Sequence, residues 1–194
     1  MLKIVKEIRS DQWSILTVLP PIILSHVPGC IVEIGMGKYS TRIWAEHSRV
    51  FERKFYGCDS SKRIVDAVRE APYIHNGMEI FHESSIRFME HFADSPSVVF
   101  LDGNHHENIV RKEVHYFIEK IPYGGVIFMH DTLPMEGYYE KKLELKNKEM
   151  NTYKVRQELE RMPHIEVFTW PYTAQTCGLT MVLKKDMNQK FYRL

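Results

Sequence analysis

The sequence predicts an α/β protein with a doubly wound, mostly parallel sheet that ends in a C-terminal antiparallel hairpin. Two observations carry this. First, short apolar runs bounded by turn residues recur: Ile31-Val32-Glu33-Ile34, Phe55-Tyr56-Gly57-Cys58, Met78-Glu79-Ile80-Phe81, Val98-Val99-Phe100-Leu101 and Val126-Ile127-Phe128-Met129. Their first residues lie 24, 23, 20 and 28 positions apart. Runs of this kind read as strands buried on both faces, as in parallel sheets. Second, apolar residues between the runs fall at helical spacing, so strand, helix and strand alternate as βαβ units.

Each element follows in turn. Residues 1–29 read as a helical lead-in, whose most apolar part, Ile15 to Leu24, contains Pro20-Pro21. That part is too short for a bilayer, which needs about 20 residues. Met1 to Glu7 lacks the apolar core of a secretory signal. Helices are predicted through Ile43, Trp44 and His47, through Ile64, Val65 and Val68, and through Ile109, Val110, Val114, Phe117, Ile118 and Ile121. Residues 135–150 have the least pattern and lead into a helix through Val155, Leu159 and Met162. The last strands, Ile165–Trp170 and Leu179–Leu183, are separated only by Pro171 to Gly178. No crossover helix fits there, so they pair antiparallel.

The chain has 194 residues, enough for one domain with a real core. Lys and Arg number 26 against 25 Asp and Glu, a net charge of +1. That balance gives no broad electrostatic footprint for a phosphate backbone, so a nucleic-acid partner is disfavoured. Cys30, Cys58 and Cys177 are few and odd in number, which predicts no disulfide framework and fits a reducing cytoplasm. Oligomeric state is open, with a homo-oligomer allowed.

The first strand runs into Gly35-Met36-Gly37-Lys38-Tyr39-Ser40-Thr41. Gly35 and Gly37 sit where the backbone turns and a ligand can approach. Ser40 or Thr41 is expected to cap the next helix. Asp59 ends the second strand, where a carboxylate can accept both hydroxyls of a ribose. A P-loop is excluded by the spacing. NAD and S-adenosylmethionine both suit a glycine turn followed by a ribose acid. Glu33, two residues before Gly35, favours a ligand with an ammonium group and would repel a pyrophosphate. The plain alternative for Glu33 is a buried carboxyl bonded to nearby amides.

Asp102 and Asp131 close the fourth and fifth strands. If these strands are neighbours, about 4.8 Å apart, the two carboxylates converge. Close carboxylates repel, so one is protonated or a cation bridges them. Oxygen ligands with open positions suit Mg²⁺. The plain alternative is one structural Asp and one that faces the cofactor. His105 can take a proton near neutral pH; the plain alternative is the first exposed turn of a helix. A zinc set of Asp102, His105, His130 and Asp131 is conceivable but its spacing is not diagnostic. Trp13, Trp44 and Trp170 read as core. The other histidines, His47 among them, read as surface or interface residues. Tyr138 and Tyr139 follow closely enough to line a substrate mouth.

Val32-Glu33-Ile34-Gly35-x-Gly37-x-x-Ser40-Thr41, Asp59, Leu101-Asp102-Gly103-Asn104-His105 and Gly124-Gly125-Val126-Ile127-Phe128-Met129-His130-Asp131 together resemble class I S-adenosylmethionine-dependent methyltransferases. The narrower resemblance is to the bacterial small-molecule O-methyltransferase branch, with D-G-x-H and G-G-V-x-x-x-H-D motifs. Ser40 stands where that family often has a third glycine. The resemblance implies that Glu33, Gly35, Gly37, Ser40, Thr41, Asp59 and Asp102 meet the cofactor, with Glu83 and Ser84 beside the adenine. Simple capping of the next helix is the alternative for the last two. It implies Mg²⁺ on Asp102 and Asp131, with Thr132 as a weak third ligand where the family often has Asn or Asp. It places His105 where catechol-type enzymes carry a lysine base, so His105, Asp102 and Asp131 are the catalytic candidates.

The organisation expected is a single domain, residues 1–194. It comprises the lead-in 1–29, a cofactor-binding core 30–131, a substrate-side segment and helix 132–163, and a terminal hairpin 164–184. The expected reaction is cation-assisted O-methylation of a small-molecule hydroxyl. The rivals are a metal-independent methyltransferase acting on nitrogen or nucleic acid, an NAD-binding oxidoreductase, and a non-catalytic partner protein that binds S-adenosylmethionine.

Overall fold

The computed structural model describes residues 11–133, 151–171 and 178–186. Tyr138, Tyr139, Cys177 and the stretch 135–150 lie outside these residues. The order of elements is α1 (Asp11–His26), β1 (Cys30–Ile34), α2 (Ser40–Val50), β2 (Phe55–Asp59), α3 (Lys62–Arg69), β3 (Met78–His82), α4 (Ser85–His91), β4 (Pro96–Leu101), α5 (Glu107–Lys120), β5 (Val126–His130), α6 (Thr152–Leu159), β6 (Ile165–Trp170) and β7 (Leu179–Lys184). No helix among the described residues is long and apolar enough to cross a membrane.

The strands form one sheet in the order β3-β2-β1-β4-β5-β7-β6. The pairs among β1 to β5 are parallel. β7 is antiparallel to both β5 and β6. The hairpin therefore joins the sheet through its second strand. A pairing argument from sequence does not choose between the two.

Strand side chains alternate between faces, and both faces are covered. Ile31, Phe55, Val98, Phe100, Val126 and Phe128 pack beneath α1 and α2, against Leu16, Leu24, Ile43 and Trp44. Val32, Val99, Leu101, Ile127 and Met129 face the other way, against Phe88, Val114, Phe117, Val155 and Leu159. β3 departs from the expected double burial: its residues are only part-buried or exposed, because it is an edge strand.

Pro20 and Pro21 lie inside α1. Neither has an N–H to donate, so the carbonyls four residues earlier lose their helical donors. The Leu16 carbonyl is instead met by Nε2 of His47 at 2.8 Å. His47 is thus a buried tie between α1 and α2, not a surface histidine. Burial keeps its imidazole below the usual range, which leaves it neutral with Nε2 as the donor.

The α2 cap also differs from expectation. Tyr39 is the N-cap residue and no side chain caps the helix. Thr41 Oγ1 instead accepts the Gly37 N–H at 3.0 Å, tying the glycine turn to the helix. Cys30 and Cys58 are buried, and burial pushes both thiols up to about 12, so they behave as small apolar residues.

Glu113 on α5 is 1% exposed, and its Oε1 has no hydrogen-bond partner. Burial holds its carboxyl up at about 7, against the opposing Ser85 hydroxyl. An acid that keeps its proton in the folded state but releases it on unfolding weakens the fold as pH rises. Denaturant titrations should therefore show stability falling from about pH 4.5 to about 7. This residue should account for up to about 3 kcal/mol of that fall. Glu113→Gln should flatten the decline and be the more stable protein at pH 8. Superimposable pH profiles for the two proteins would contradict this.

Candidate active site

Parallel sheets bind ligands beyond the carboxyl ends of their strands, where the strand order reverses. Here that point lies between β1 and β4. Gly35 leaves β1 at φ +81°, and a Cβ there would lie 2.3 Å from the Gly103 backbone just past β4. Only glycine permits this close approach. The Asp102 N–H donates to the Ile34 carbonyl at 2.8 Å, which extends the β1–β4 pairing into the site.

The N–H groups of Gly35, Met36 and Gly37 are used internally. Gly35 donates to the Cys58 carbonyl at 2.9 Å, Met36 to Asp59 Oδ2 at 3.0 Å and Gly37 to Thr41 Oγ1 at 3.0 Å. A pyrophosphate cradle needs such groups free. At these three positions the turn offers shape and close approach rather than free N–H groups. Beneath it Glu33 is fully buried, level with Gly57 on β2 and Phe100 on β4. Burial lifts its carboxyl to about 8, opposed in part by the Ser40 and Thr41 hydroxyls. It is a neutral acid at pH 7 in this state, an electrostatic condition that sequence reasoning did not reveal. Ser40 and Thr41 are buried beside it.

Asp59 stands at the end of β2. Its Oδ2 holds the Met36 N–H, and its Oδ1 accepts the Ser61 N–H at 2.6 Å. Each oxygen keeps acceptor capacity for a further donor. Ser84 is the N-cap of α4, and its hydroxyl accepts the Arg87 N–H at 3.3 Å. Glu83 turns to its own helix, with Oε1 2.7 Å from His91 Nε2 and Oε2 3.6 Å from Arg87 Nε. Capping and local pairing thus occupy both of these residues.

β4 and β5 are neighbours, so Asp102 and Asp131 do converge. The group between them is His130, the last residue of β5. Its Nδ1 lies 3.0 Å from Asp102 Oδ1 and 3.1 Å from Asp131 Oδ1. Burial opposes charge on the ring, but the two carboxylates outweigh it and hold His130 up at about 10. Their mutual repulsion is relieved by this imidazolium. His105 completes the group: its Nε2 is 3.8 Å from Asp102 Oδ1 and 3.7 Å from Asp131 Oδ2. His105 precedes α5, whose N-cap is His106, so it is a loop residue rather than part of the first turn.

Asp131 has φ +55°, a left-handed conformation that costs about 1–3 kcal/mol and persists only where its surroundings impose it. Thr132 supplies that hold. It is fully buried, its hydroxyl accepts from Thr180 Oγ1 at 2.7 Å, and its carbonyl accepts from Arg156 Nε at 3.1 Å. Thr132 is therefore tied to the sheet and to α6. In this arrangement His130 occupies the space between the Asp102 and Asp131 carboxylates and Thr132 Oγ1 accepts from Thr180, so a cation there would have to displace the His130 ring. Among the described residues, no group of three or more His, Cys, Asp or Glu is arranged to hold a metal ion.

Aromatic side chains rim the site. The Trp13 ring stacks on His130 with centroids 6.3 Å apart and planes at 16°, and Tyr39 lies 6.3 Å from Trp13. Trp44 is core, as its apolar setting predicts, whereas Trp13 is part-buried on this rim. His130 was within reach of sequence reasoning. Strand alternation from Phe128 puts it on the face of Glu33 and Phe100.

The profile of a family described as a methyltransferase domain matches residues 32–132, just over half of the chain. No curated protein sequence matches. Several solved structures share the fold. The O-methyltransferase TomG from Streptomyces achromogenes, solved with S-adenosylmethionine, has a TM-score of 0.69 at 14% identity, covering 92% of this chain and 82% of that one. The methyltransferase PaMTH1 from Podospora anserina, bound to S-adenosylhomocysteine, gives 0.66 at 18% identity, covering 95% and 83%. An rRNA methylase from Streptococcus thermophilus gives 0.60 at 11% identity, covering 87% and 95%. At these identities the likeness speaks for the fold alone. The profile spans the glycine turn, Asp59, Asp102, His105 and Asp131, and on that match the chain belongs to the methyltransferase-domain family of enzymes.

Proposed function

We propose that the protein transfers the methyl group of S-adenosylmethionine to a hydroxyl of a small molecule, with His105 as the base. The observation that carries this is the position of His105 Nε2, within 3.8 Å of two carboxylates, on the loop after β4 whose Gly103 the Gly35 turn approaches. The internally bonded N–H groups of Gly35, Met36 and Gly37 disfavour a dinucleotide pyrophosphate at those positions. The two small-molecule-sized clues, net charge +1 and an aromatic rim, favour a compact acceptor over nucleic acid. The neighbours TomG and PaMTH1, solved with this cofactor or its product, support the same reading.

When bound, S-adenosylmethionine supplies an electrophilic methyl on sulfur. Asp59 would accept from the ribose hydroxyls while it continues to hold Met36 and Ser61. Gly35 and Gly37 would admit the methionine end over Glu33. His105 would take the acceptor's hydroxyl proton at Nε2 as the oxygen–methyl bond forms and the sulfur–methyl bond breaks, with S-adenosylhomocysteine leaving. Asp102 and Asp131 would stabilise the imidazolium that results. Positioning is the protein's main contribution, because the reacting atoms must be held about 3–3.5 Å apart.

A cation-assisted route is the second reading, favoured by the convergence of Asp102 and Asp131. Methyl transfer to a panel of hydroxylated small molecules, assayed with EDTA and with added Mg²⁺, separates the two. The expected result is turnover in EDTA. His105→Ala should lower turnover about 10²–10⁴-fold and leave S-adenosylhomocysteine affinity unchanged. Turnover only with Mg²⁺ would transfer the role to a cation. An undiminished rate in His105→Ala would remove it from the mechanism.

A second expectation concerns Glu33, whose carboxyl is neutral up to about pH 8. A ligand ammonium above the turn would favour its ionised form. Binding of S-adenosylhomocysteine near pH 7 should then release a proton, read by calorimetry as a binding enthalpy that varies with buffer ionisation. Glu33→Gln should lose this release and bind more weakly, by roughly 1–3 kcal/mol. Buffer-independent enthalpy together with unchanged affinity in Glu33→Gln would make Glu33 purely structural.

A further inference from the structure

We propose that the first turns of α6 act as a clamp that sets His105 against Asp131, with Asn151, Thr152 and Arg156 as positioning residues. This rests on His105 as the base.

Two loops must keep their relative position for His105 Nε2 to stay 3.7 Å from Asp131 Oδ2. One runs from β4 into α5 and carries His105. The other leaves β5 and carries Asp131. α6 bonds to both. The Asn151 N–H donates to the His105 carbonyl at 3.0 Å, and Thr152 Oγ1 donates to the same oxygen at 3.2 Å. Asn151 Oδ1 accepts the Glu107 N–H at 2.6 Å, capping α5 two residues after His105. One helical turn on, Arg156 Nε donates to the Thr132 carbonyl, next to the strained Asp131.

These bonds are buried or part-buried, and they use no group of the reacting cluster. Asn151 and Thr152 are 7% and 2% exposed. A polar side chain so enclosed has a defined partner or destabilises the fold, and here each partner is the backbone of a candidate catalytic loop. α6 packs on α5, with Arg111 Nε 2.9 Å and His115 Nε2 3.1 Å from Glu158, so the clamp has a rigid base. α6 also lies outside residues 32–132, the span of the family match. The clamp is therefore built by a part of the chain that the family match does not cover.

The test compares Thr152→Val and Asn151→Ala/Thr152→Val with Thr152→Ser, each saturated with S-adenosylhomocysteine. Long-range ¹H–¹⁵N spectra read the imidazole rings, with the His105 signals assigned by their loss in His105→Gln. The expected result is that His105 signals shift or broaden in the Val-containing variants and return in Thr152→Ser. The affinity for S-adenosylhomocysteine should stay within about twofold, and turnover of a hydroxyl acceptor should fall ~10–100-fold, the scale for a displacement of about 1 Å. Unchanged His105 signals in folded Asn151→Ala/Thr152→Val would overturn the clamp. So would loss of S-adenosylhomocysteine binding in that variant, because α6 would then support the whole site. If the double variant does not fold, Thr152→Val against Thr152→Ser decides alone. Full turnover in His105→Gln would instead refute the base, an outcome separable from the behaviour of α6.

Discussion

The carboxyl end of the sheet is organised by one close approach, that of the Gly35 turn to the backbone at Gly103. A side chain at position 35 would have to occupy space 2.3 Å from the Gly103 Cα and N. Because it does not, the loops after β1 and β4 lie against each other with no layer of side chains between them. That contact sets the separation of two otherwise independent half-sites. On one side lie Glu33 and Asp59, suited to a charged nucleoside. On the other lie Asp102, His105, His130 and Asp131, suited to moving a proton. The rest of the sheet supports this junction through strands buried on both faces, which leaves little freedom for register shifts.

Electrostatics around the junction follow from burial and neighbours together. Glu33 is buried with no cation against it among the described residues and keeps its proton. His130 is nearly as deep, yet two carboxylates within 3.1 Å favour its charged form. The carboxylate pair is thus compensated by a side chain of β5 itself. His47, buried against the Leu16 carbonyl, has no acid paired with its ring nitrogens among the described residues and stays neutral. Three titratable groups in similar burial reach different states, and the difference lies in what faces each one.

Much of this was legible in the sequence. Strands announced themselves because parallel strands covered on both faces need continuous apolar runs. The edge position of β3 was not legible, since Met78-Glu79-Ile80-Phe81 is as apolar as an interior strand apart from Glu79. The insertion of β7 between β5 and β6 was hidden too, because a hairpin motif does not say which of its strands joins the sheet. The acids at the strand ends were visible as motif residues. His130 was visible as a motif residue and a conceivable zinc ligand, but not as the group between the two acids, though its even spacing from Phe128 and Val126 placed it beside Phe100. The role of His47 had a signal in Pro20-Pro21, which leaves carbonyls in α1 needing an outside donor. Asn151 and Arg156 had none, because their partners are backbone atoms brought near only by the tertiary fold. Ser84 and Glu83 carry the caution that residues just after a strand serve the next helix as readily as a ligand.

The central claim is that one cofactor spans the Gly35–Gly103 junction and presents a methyl group to His105. A crystal structure of the protein with S-adenosylhomocysteine tests it most directly. The account predicts ribose hydroxyls on the Asp59 carboxylate, the methionine amino group over the Gly35–Gly37 turn, and the sulfur facing His105 across the junction. A ligand seated elsewhere, or one in this cleft with its sulfur turned away from His105, would contradict it.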